Sequence, residues 1–324
     1  MTLERELNVA LEAVRRASEL CREARRALAT AETMEKMDRS PVTVADFGCQ
    51  GVVNLALRAE FPHIPMIGEE TASALRESDE LRNRVLELVR GQSPDAGESE
   101  LLDAIDLGKG GAEGAERWWV LDPIDGTKGF LRGDQYAVAL ALVERGEVIL
   151  GVLGCPNFPR AEGPPGTLFY AVRGQGAFAR SIEGGKAIRI ATDGLTDPAK
   201  ARFCESVETA HASHETHAKI GEAIGISAEP HRIDSQAKYG AVASGLASVY
   251  LRLPRSKEYR EKTWDHAAGA IVVAEAGGRV TDFSGKPLDF SLGRKLETNY
   301  GILATNGVLH DAALQAVAKV VGID

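Results

Sequence analysis

The chain has 324 residues, enough for one large or two medium domains with real cores. Its 44% hydrophobic content and mixed charge mark a soluble globular protein, and no stretch approaches the roughly 18 apolar residues of a membrane span. A formal charge of −9 argues against a nucleic-acid partner, whose affinity rests on Lys and Arg neutralising phosphates, yet leaves a small anionic substrate open if cations offset the acidity.

The N-terminus lacks the layout of a signal peptide. Met1 to Ala29 instead carries Leu3, Leu7, Leu11, Val14, Cys21 and Leu28, a helical stripe that reads as core packing. Asp38 to Pro41 reads as a turn, and Asp46 to Glu60 as a helix that Asp46 could begin. His63 to Ile67 is a short strand leading into Gly68-Glu69-Glu70. Gly91 to Glu116 is polar and Gly-rich, which predicts a mobile insert. Arg117 to Leu121 is a buried strand. Tyr136 to Leu142 and Glu147 to Val152 flank Glu144-Arg-Gly146, a hairpin signal, and Leu168 to Val172 and Gly176 to Ala179 add two antiparallel strands. Ala191 to Pro198 is the linker candidate, dense in turn formers. Beyond it, strands at Arg202 to Val207, Ser248 to Leu253 and Gly301 to Ala304 alternate with helical patterns. The expected order is an antiparallel α+β unit, then a more α/β unit. The four cysteines (Cys21, Cys49, Cys155, Cys204) form no CxxC pair, so a reducing, cytoplasmic setting is expected.

Asp122-Pro-Ile-Asp-Gly-Thr127 is the segment richest in chemistry. Pro123 bars helix at Asp122, so the Asp122 and Asp125 carboxylates can converge where the strand ends, with the Ile124 carbonyl as a third oxygen ligand. Hard divalent cations such as magnesium take oxygen donors of this kind. Gly126 permits close backbone approach to a ligand, and the Thr127 hydroxyl can orient a water. The competing account is an ordinary Asp-Pro/Asp-Gly turn. Glu69 also ends a strand, and Asp265, in Trp264-Asp-His-Ala-Ala-Gly269, precedes an Ala/Val-rich helix for which it could simply be the N-cap.

Taken together, Gly68-Glu-Glu, Asp-Pro-Ile-Asp-Gly-Thr and Trp-Asp-His-Ala-Ala-Gly, in this order, resemble the signatures of the lithium-sensitive, magnesium-dependent inositol monophosphatase superfamily, over about Lys36 to Asn306. The resemblance implies a layered α-β-α-β-α sandwich of the inositol monophosphatase/fructose-1,6-bisphosphatase type. Residues 1–197 would form the N-terminal α+β domain and residues 198–324 the C-terminal α/β domain, with the active site between them. It implies Glu69, Asp122, the Ile124 carbonyl, Asp125 and Asp265 as metal ligands, two or three Mg²⁺ per site, and Asp46 with Thr127 as the pair that orients or deprotonates the attacking water. Backbone N–H groups at Gly126 and Thr127 would help hold the phosphate.

Longer segments resemble the 3′(2′),5′-bisphosphate nucleotidase branch: Lys36 to Thr43, Asp125 to Arg132, Ser206 to His214, Asp234 to Tyr239 and Tyr250 to Pro254. They imply a nucleotide pocket lined by His214, Ser235, Lys238 and Arg252, the last two near a 5′-phosphate. Lys and Arg suit a second phosphate, but composition alone slightly favours reading both as solvated charges. The expected activity is removal of the 3′-phosphate from adenosine 3′,5′-bisphosphate and from 3′-phosphoadenylyl sulfate. The alternatives are an inositol 1,4-bisphosphate 1-phosphatase and a non-catalytic nucleotide sensor on the same fold. His211, His214 and His217 drift off one helical face, which disfavours zinc, and His266 reads as a packed or hydrogen-bonding neighbour of Asp265. The Ala212-Ser213 pair departs from the branch pattern. Oligomeric state is not fixed by the sequence.

Overall fold

The computed structural model describes residues 3–30, 40–207 and 214–322. The N-terminal stripe forms helix α1 (Glu4–Thr30), whose Ala10, Leu11, Val14, Ala17 and Cys21 are buried. Helix α2 (Ser40–Glu60) packs beside it and buries Phe47, Cys49, Val52, Val53 and Leu57. Because α2 starts at Ser40, Asp46 sits inside the helix rather than capping it. Of the turn expected at Asp38 to Pro41, Ser40 and Pro41 instead open α2, while residues 36–39, half of the segment Lys36 to Thr43, lie outside the described residues.

These two helices cover one face of a seven-stranded sheet of β1 (Met66–Gly68), β2 (Arg117–Asp125), β3 (Ala137–Glu144), β4 (Glu147–Cys155), β5 (Thr167–Val172), β6 (Gly176–Ser181) and β7 (Gly184–Ile190), ordered as numbered. Only the β1–β2 pair among them is parallel. The hairpin joining β3 to β4 turns at Arg145 (φ 52°) and Gly146 (φ 82°), both left-handed as a tight two-residue turn requires. A second, mixed sheet has the order β11-β12-β10-β8-β9, from β8 (Phe203–Glu205), β9 (His231–Arg232), β10 (Val249–Arg252), β11 (Arg279–Thr281) and β12 (Ile302–Thr305). Helices α8 (Ala237–Ala243) and α9 (Ala267–Glu275) lie between the two sheets. Helices α7 (His214–Ile224) and α10 (His310–Val317) cover the far face of the second. The layers are thus α-β-α-β-α.

Packing explains the layering. In β4, Gly151 and Gly154 are three residues apart and so face opposite sides of the sheet. A Cβ at Gly154 would come 2.7 Å from Val14 of α1, and one at Gly151 2.5 Å from Ile271 of α9. Each glycine lets a helix settle onto the sheet. Helix α9 is apolar all round (Ala267, Ala268, Ile271, Val272, Val273 buried), as a helix enclosed between two sheets must be.

The expectation for residues 91–116 needs correction. Residues 91–116 are not a mobile insert: after the helices α3 (Ser73–Glu77) and α4 (Asp79–Arg90) they contain α5 (Glu98–Asp106), whose Leu101, Ala104 and Ile105 are buried against α2. Apolar residues spaced three and four apart supply the helical face within an otherwise polar stretch. Nothing in the sequence marks β7 (Gly184–Ile190), an exposed edge strand with no apolar alternation.

Candidate active site

β2 runs four residues beyond the expected strand end, and its pairing with β3 slips between Asp122 and Asp125. In a regular strand, residues three apart face opposite sides. The bulge adds one residue and re-aims both carboxylates into one cleft, which Glu69, Ile124, Gly126, Thr127, Ser235 and Asp265 also line. Gly126 (φ 85°) is left-handed and caps α6 (Thr127–Arg132), and a Cβ there would come 2.8 Å from the Ser235 Cβ. Glycine is therefore required by conformation and by space. Ser235 is itself left-handed (φ 68°), an uncommon state for a non-glycine residue, held where the two halves of the chain meet.

The acids are buried and crowded. Asp122 is almost inaccessible, and its Oδ1 has no hydrogen-bond partner. Burial, then the charges of Glu69, Asp125 and Asp265, push its carboxyl well above the usual range. Glu69 is pushed up to about 7 by burial and then by Asp265, Glu70 and Asp125. Asp125 is pushed up to about 6, mainly by burial and Asp265, although Lys238 and Arg252 oppose this and the Gln236 N–H donates to its Oδ2 at 2.6 Å. Asp46 is raised by burial and by Glu70 and Glu69 across from it. Hard oxygen donors, like charges held close and an orphaned buried carboxylate oxygen all fit divalent cations.

A cationic side faces the acids. Lys238 is buried over the Tyr250 ring at 5.2 Å, in the field of Asp125 and Asp234. Arg252 Nε donates to Glu261 at 2.9 Å, and its Nη2 lies 3.4 Å from Asp265. Lys128 and Arg255 complete this side. Asp265 is not a helix N-cap, since α9 begins at Ala267 and His266 holds the cap position. Its neighbour His266 is fully buried, with Nε2 3.3 Å from Glu261 and Nδ1 2.7 Å from the Tyr239 hydroxyl. Burial pushes the Glu261 carboxyl up, but hydrogen bonds from His266 and Arg252 outweigh it and hold the group down to about 2. An ionised Glu261 accepts from His266 Nε2–H, so Nδ1 accepts from Tyr239. Glu261, Asp265 and His266 lie close enough to hold a metal, but Arg252 engages Glu261 and the Tyr239 hydroxyl engages His266, which leaves Asp265 with the acids of the cleft.

His214 does not line the cleft. Its Nε2 bonds the Ser206 carbonyl at 3.1 Å, and Ser206 does line it. His217 Nδ1 lies 3.2 Å from buried Glu205, which also accepts from Arg232. His211 and the Ala212-Ser213 pair lie outside the described residues. Sequence reasoning missed Gln50 and Gln236. Gln50, one turn beyond Asp46, accepts from the Glu70 N–H at 3.0 Å and donates to the Glu70 and Ile105 carbonyls, both at 2.8 Å. That fixes the loop bearing Glu69. Gln50 sits in no local pattern that would single it out; Gln236 falls inside the Asp234 to Tyr239 segment, but nothing there marks the bonds its side chain makes.

The inositol monophosphatase family model matches residues 2–321. A rice (Oryza sativa) protein named 3′(2′),5′-bisphosphate nucleotidase is 46% identical over 334 residues, covering 96% of this chain and 93% of its own. One of the same name from Emericella nidulans is 41% identical over 350 residues, covering 99% of both. Among solved structures, a Thermotoga maritima IMPase superposes with a TM-score of 0.65 at 22% identity, over 98% of each chain, a likeness of fold. The chain belongs to the inositol monophosphatase family.

Proposed function

We propose that this protein is a magnesium-dependent phosphatase that hydrolyses the 3′-phosphate of adenosine 3′,5′-bisphosphate, and of its sulfated form, leaving AMP or adenylyl sulfate and inorganic phosphate. The observation that carries the reading is the two-sided cleft: carboxylates of Glu69, Asp122, Asp125 and Asp265 on one side, Lys238 and Arg252 on the other. One side suits cations that engage a scissile phosphate, the other a second phosphate on the same small molecule. Similarity to nucleotidases along almost the whole chain supports the same substrate class.

In this reading Glu69, Asp122, the Ile124 carbonyl, Asp125 and Asp265 hold the cations. Bound divalent cations supply Lewis-acid stabilisation of phosphoryl oxygens and lower the pKa of water. Asp46 and Thr127 orient the attacking water; α2 packs on α6, which brings their two elements together. N–H groups at Gly126 and Thr127 face the phosphate. Ser235 flanks the nucleoside, and His214 acts from behind through the Ser206 carbonyl it holds. The cleft lies between the 1–197 and 198–324 units. Four free, buried cysteines support a reducing, cytoplasmic setting.

Product analysis tests this. Adenosine 3′,5′-bisphosphate should yield AMP with its phosphate on the 5′ oxygen; adenosine 3′-monophosphate as product would reverse the assigned orientation. Arg252→Met should raise KM for the bisphosphate about 10-fold or more, the scale of one charge-assisted hydrogen bond, while leaving KM for a nucleotide lacking the 5′-phosphate nearly unchanged.

A further inference from the structure

Arg294 lies outside every motif above. Its Nη1 donates to the Gly108 carbonyl at 2.9 Å and its Nη2 to the Gly68 carbonyl at 2.8 Å, across 186 and 226 residues of chain. Gly68 immediately precedes Glu69. The guanidinium also sits over the Trp264 ring, 4.7 Å from its centroid, and Trp264 immediately precedes Asp265. The backbone around Arg294 is tied to the same segment, with Thr263 N–H donating to the Arg294 carbonyl at 3.2 Å and Leu296 N–H to the Glu261 carbonyl at 3.0 Å.

Trp264 is held from its other end by Gln236. The Gln236 side chain donates to the Trp264 carbonyl at 2.8 Å and accepts from the Gly269 N–H at 3.1 Å, while its own backbone N–H holds Asp125. Arg294 therefore links the Glu69 loop to Trp264, and Gln236 links Trp264 to Asp125. Three acids from three separate segments are registered through one tryptophan.

The structure assigns Arg294, through Trp264 and Gln236, as a positioning residue that sets the separation of Glu69, Asp125 and Asp265, and thereby the affinity of the cleft for divalent cations. The inference rests on the metal-binding role proposed for those acids. Arg294 touches neither substrate nor reacting atoms. Its planar fork spans two carbonyls while stacking on a ring, which a lysine cannot do at once.

The test is Mg²⁺ binding measured by calorimetry on the full chain, with Mg²⁺ activation of phosphate release alongside. Arg294→Met is expected to weaken Mg²⁺ binding about 10- to 100-fold, the usual loss when a group supporting metal ligands is removed, with turnover largely restored at saturating Mg²⁺. Arg294→Lys, the milder change if the first variant folds poorly, should weaken binding in the same direction. Lys295→Met, the exposed neighbour beside Glu297, should leave binding unchanged. A merely structural Arg294 would lower melting temperature equally with and without Mg²⁺ at unaltered affinity, and that result overturns the proposal. Wild-type protein that binds Mg²⁺ without hydrolysing nucleotide would sink the nucleotidase reading, while weakened binding in Arg294→Met would still uphold the brace. Wild-type protein that binds no Mg²⁺ would overturn both.

Discussion

Two carboxylates about 4 Å apart repel by roughly 4 kcal/mol at an effective dielectric near 20, so a folded chain keeps several together only if something offsets the charge. Here protons or cations must do so: Glu69 and Asp125 are pushed up to about 7 and about 6. Replacing Asp122 or Asp265 with Asn should lower turnover by more than the roughly 10- to 100-fold typical of outer-sphere partners while preserving the fold. A variant keeping a tenth or more of wild-type turnover would refute its assignment as a ligand. The acids are legible in the sequence through the three motifs that carry them, whose order resembles a known family; singly, each reads as well as a turn or a helix cap. Arg294 and Gln50 lie outside those motifs, and their partners are brought near only by the fold; Gln236 lies within the Asp234 to Tyr239 segment, but its bonds to Trp264 and Gly269 are likewise made only by the fold.

The elements were read best where a single period governs them. The α1 stripe and the β3–β4 hairpin follow directly from spacing and turn residues. Helix α5 was hidden because its one apolar face is brief and set among acids and glycines, and β7 because an edge strand with exposed side chains shows no alternation. The bulge in β2 could not be read at all: pairing register is a property of two strands, not of one. Helix α9 shows how tightly elements are fitted at the site. A Cβ at Gly269 would lie 2.2 Å from the Tyr239 ring, so α8 and α9 touch at that point. Gly269→Ala should therefore destabilise the protein by about 1–3 kcal/mol, the usual cost of overpacking, and should disturb the Gln236 bond to the Gly269 N–H. An unchanged melting temperature would show that the two helices separate freely.

Across the whole molecule, the apolar layer around α8 and α9 is shared by both sheets, so residues from the two halves form one core. This shared layer fastens the two halves of the chain together beneath the cleft. Charge is the counterweight to this packing. Groups whose folded pKa is raised hold protons that the unfolded chain has already lost, so their contribution is greatest below the unfolded values and falls as pH rises through the folded ones. For Glu69 and Asp125 that window runs from about 4 to 7, and Asp46 and Asp122 act in the same sense. His310, pushed down to about 4 by burial between Thr281 and Thr305, acts oppositely, and His231, lowered by burial and then by Arg202, acts in the same sense as His310. Cation-free protein should lose melting temperature as pH rises from 5 to about 7.5, and Mg²⁺ should restore it at the upper end. At 100 times its Kd, a bound ion adds about 2.7 kcal/mol. A melting temperature indifferent to both chelator and pH would contradict the account.

The function proposed for the cleft is removal of a phosphate from a nucleotide bisphosphate using magnesium. It is tested most directly by measuring phosphate release from adenosine 3′,5′-bisphosphate and inositol 1,4-bisphosphate side by side, with Mg²⁺ and then with chelator. The account predicts fast release from the nucleotide, much slower release from the inositol compound, and none from either once Mg²⁺ is removed. Release confined to the inositol compound, or undiminished release from the nucleotide under chelation, would contradict it.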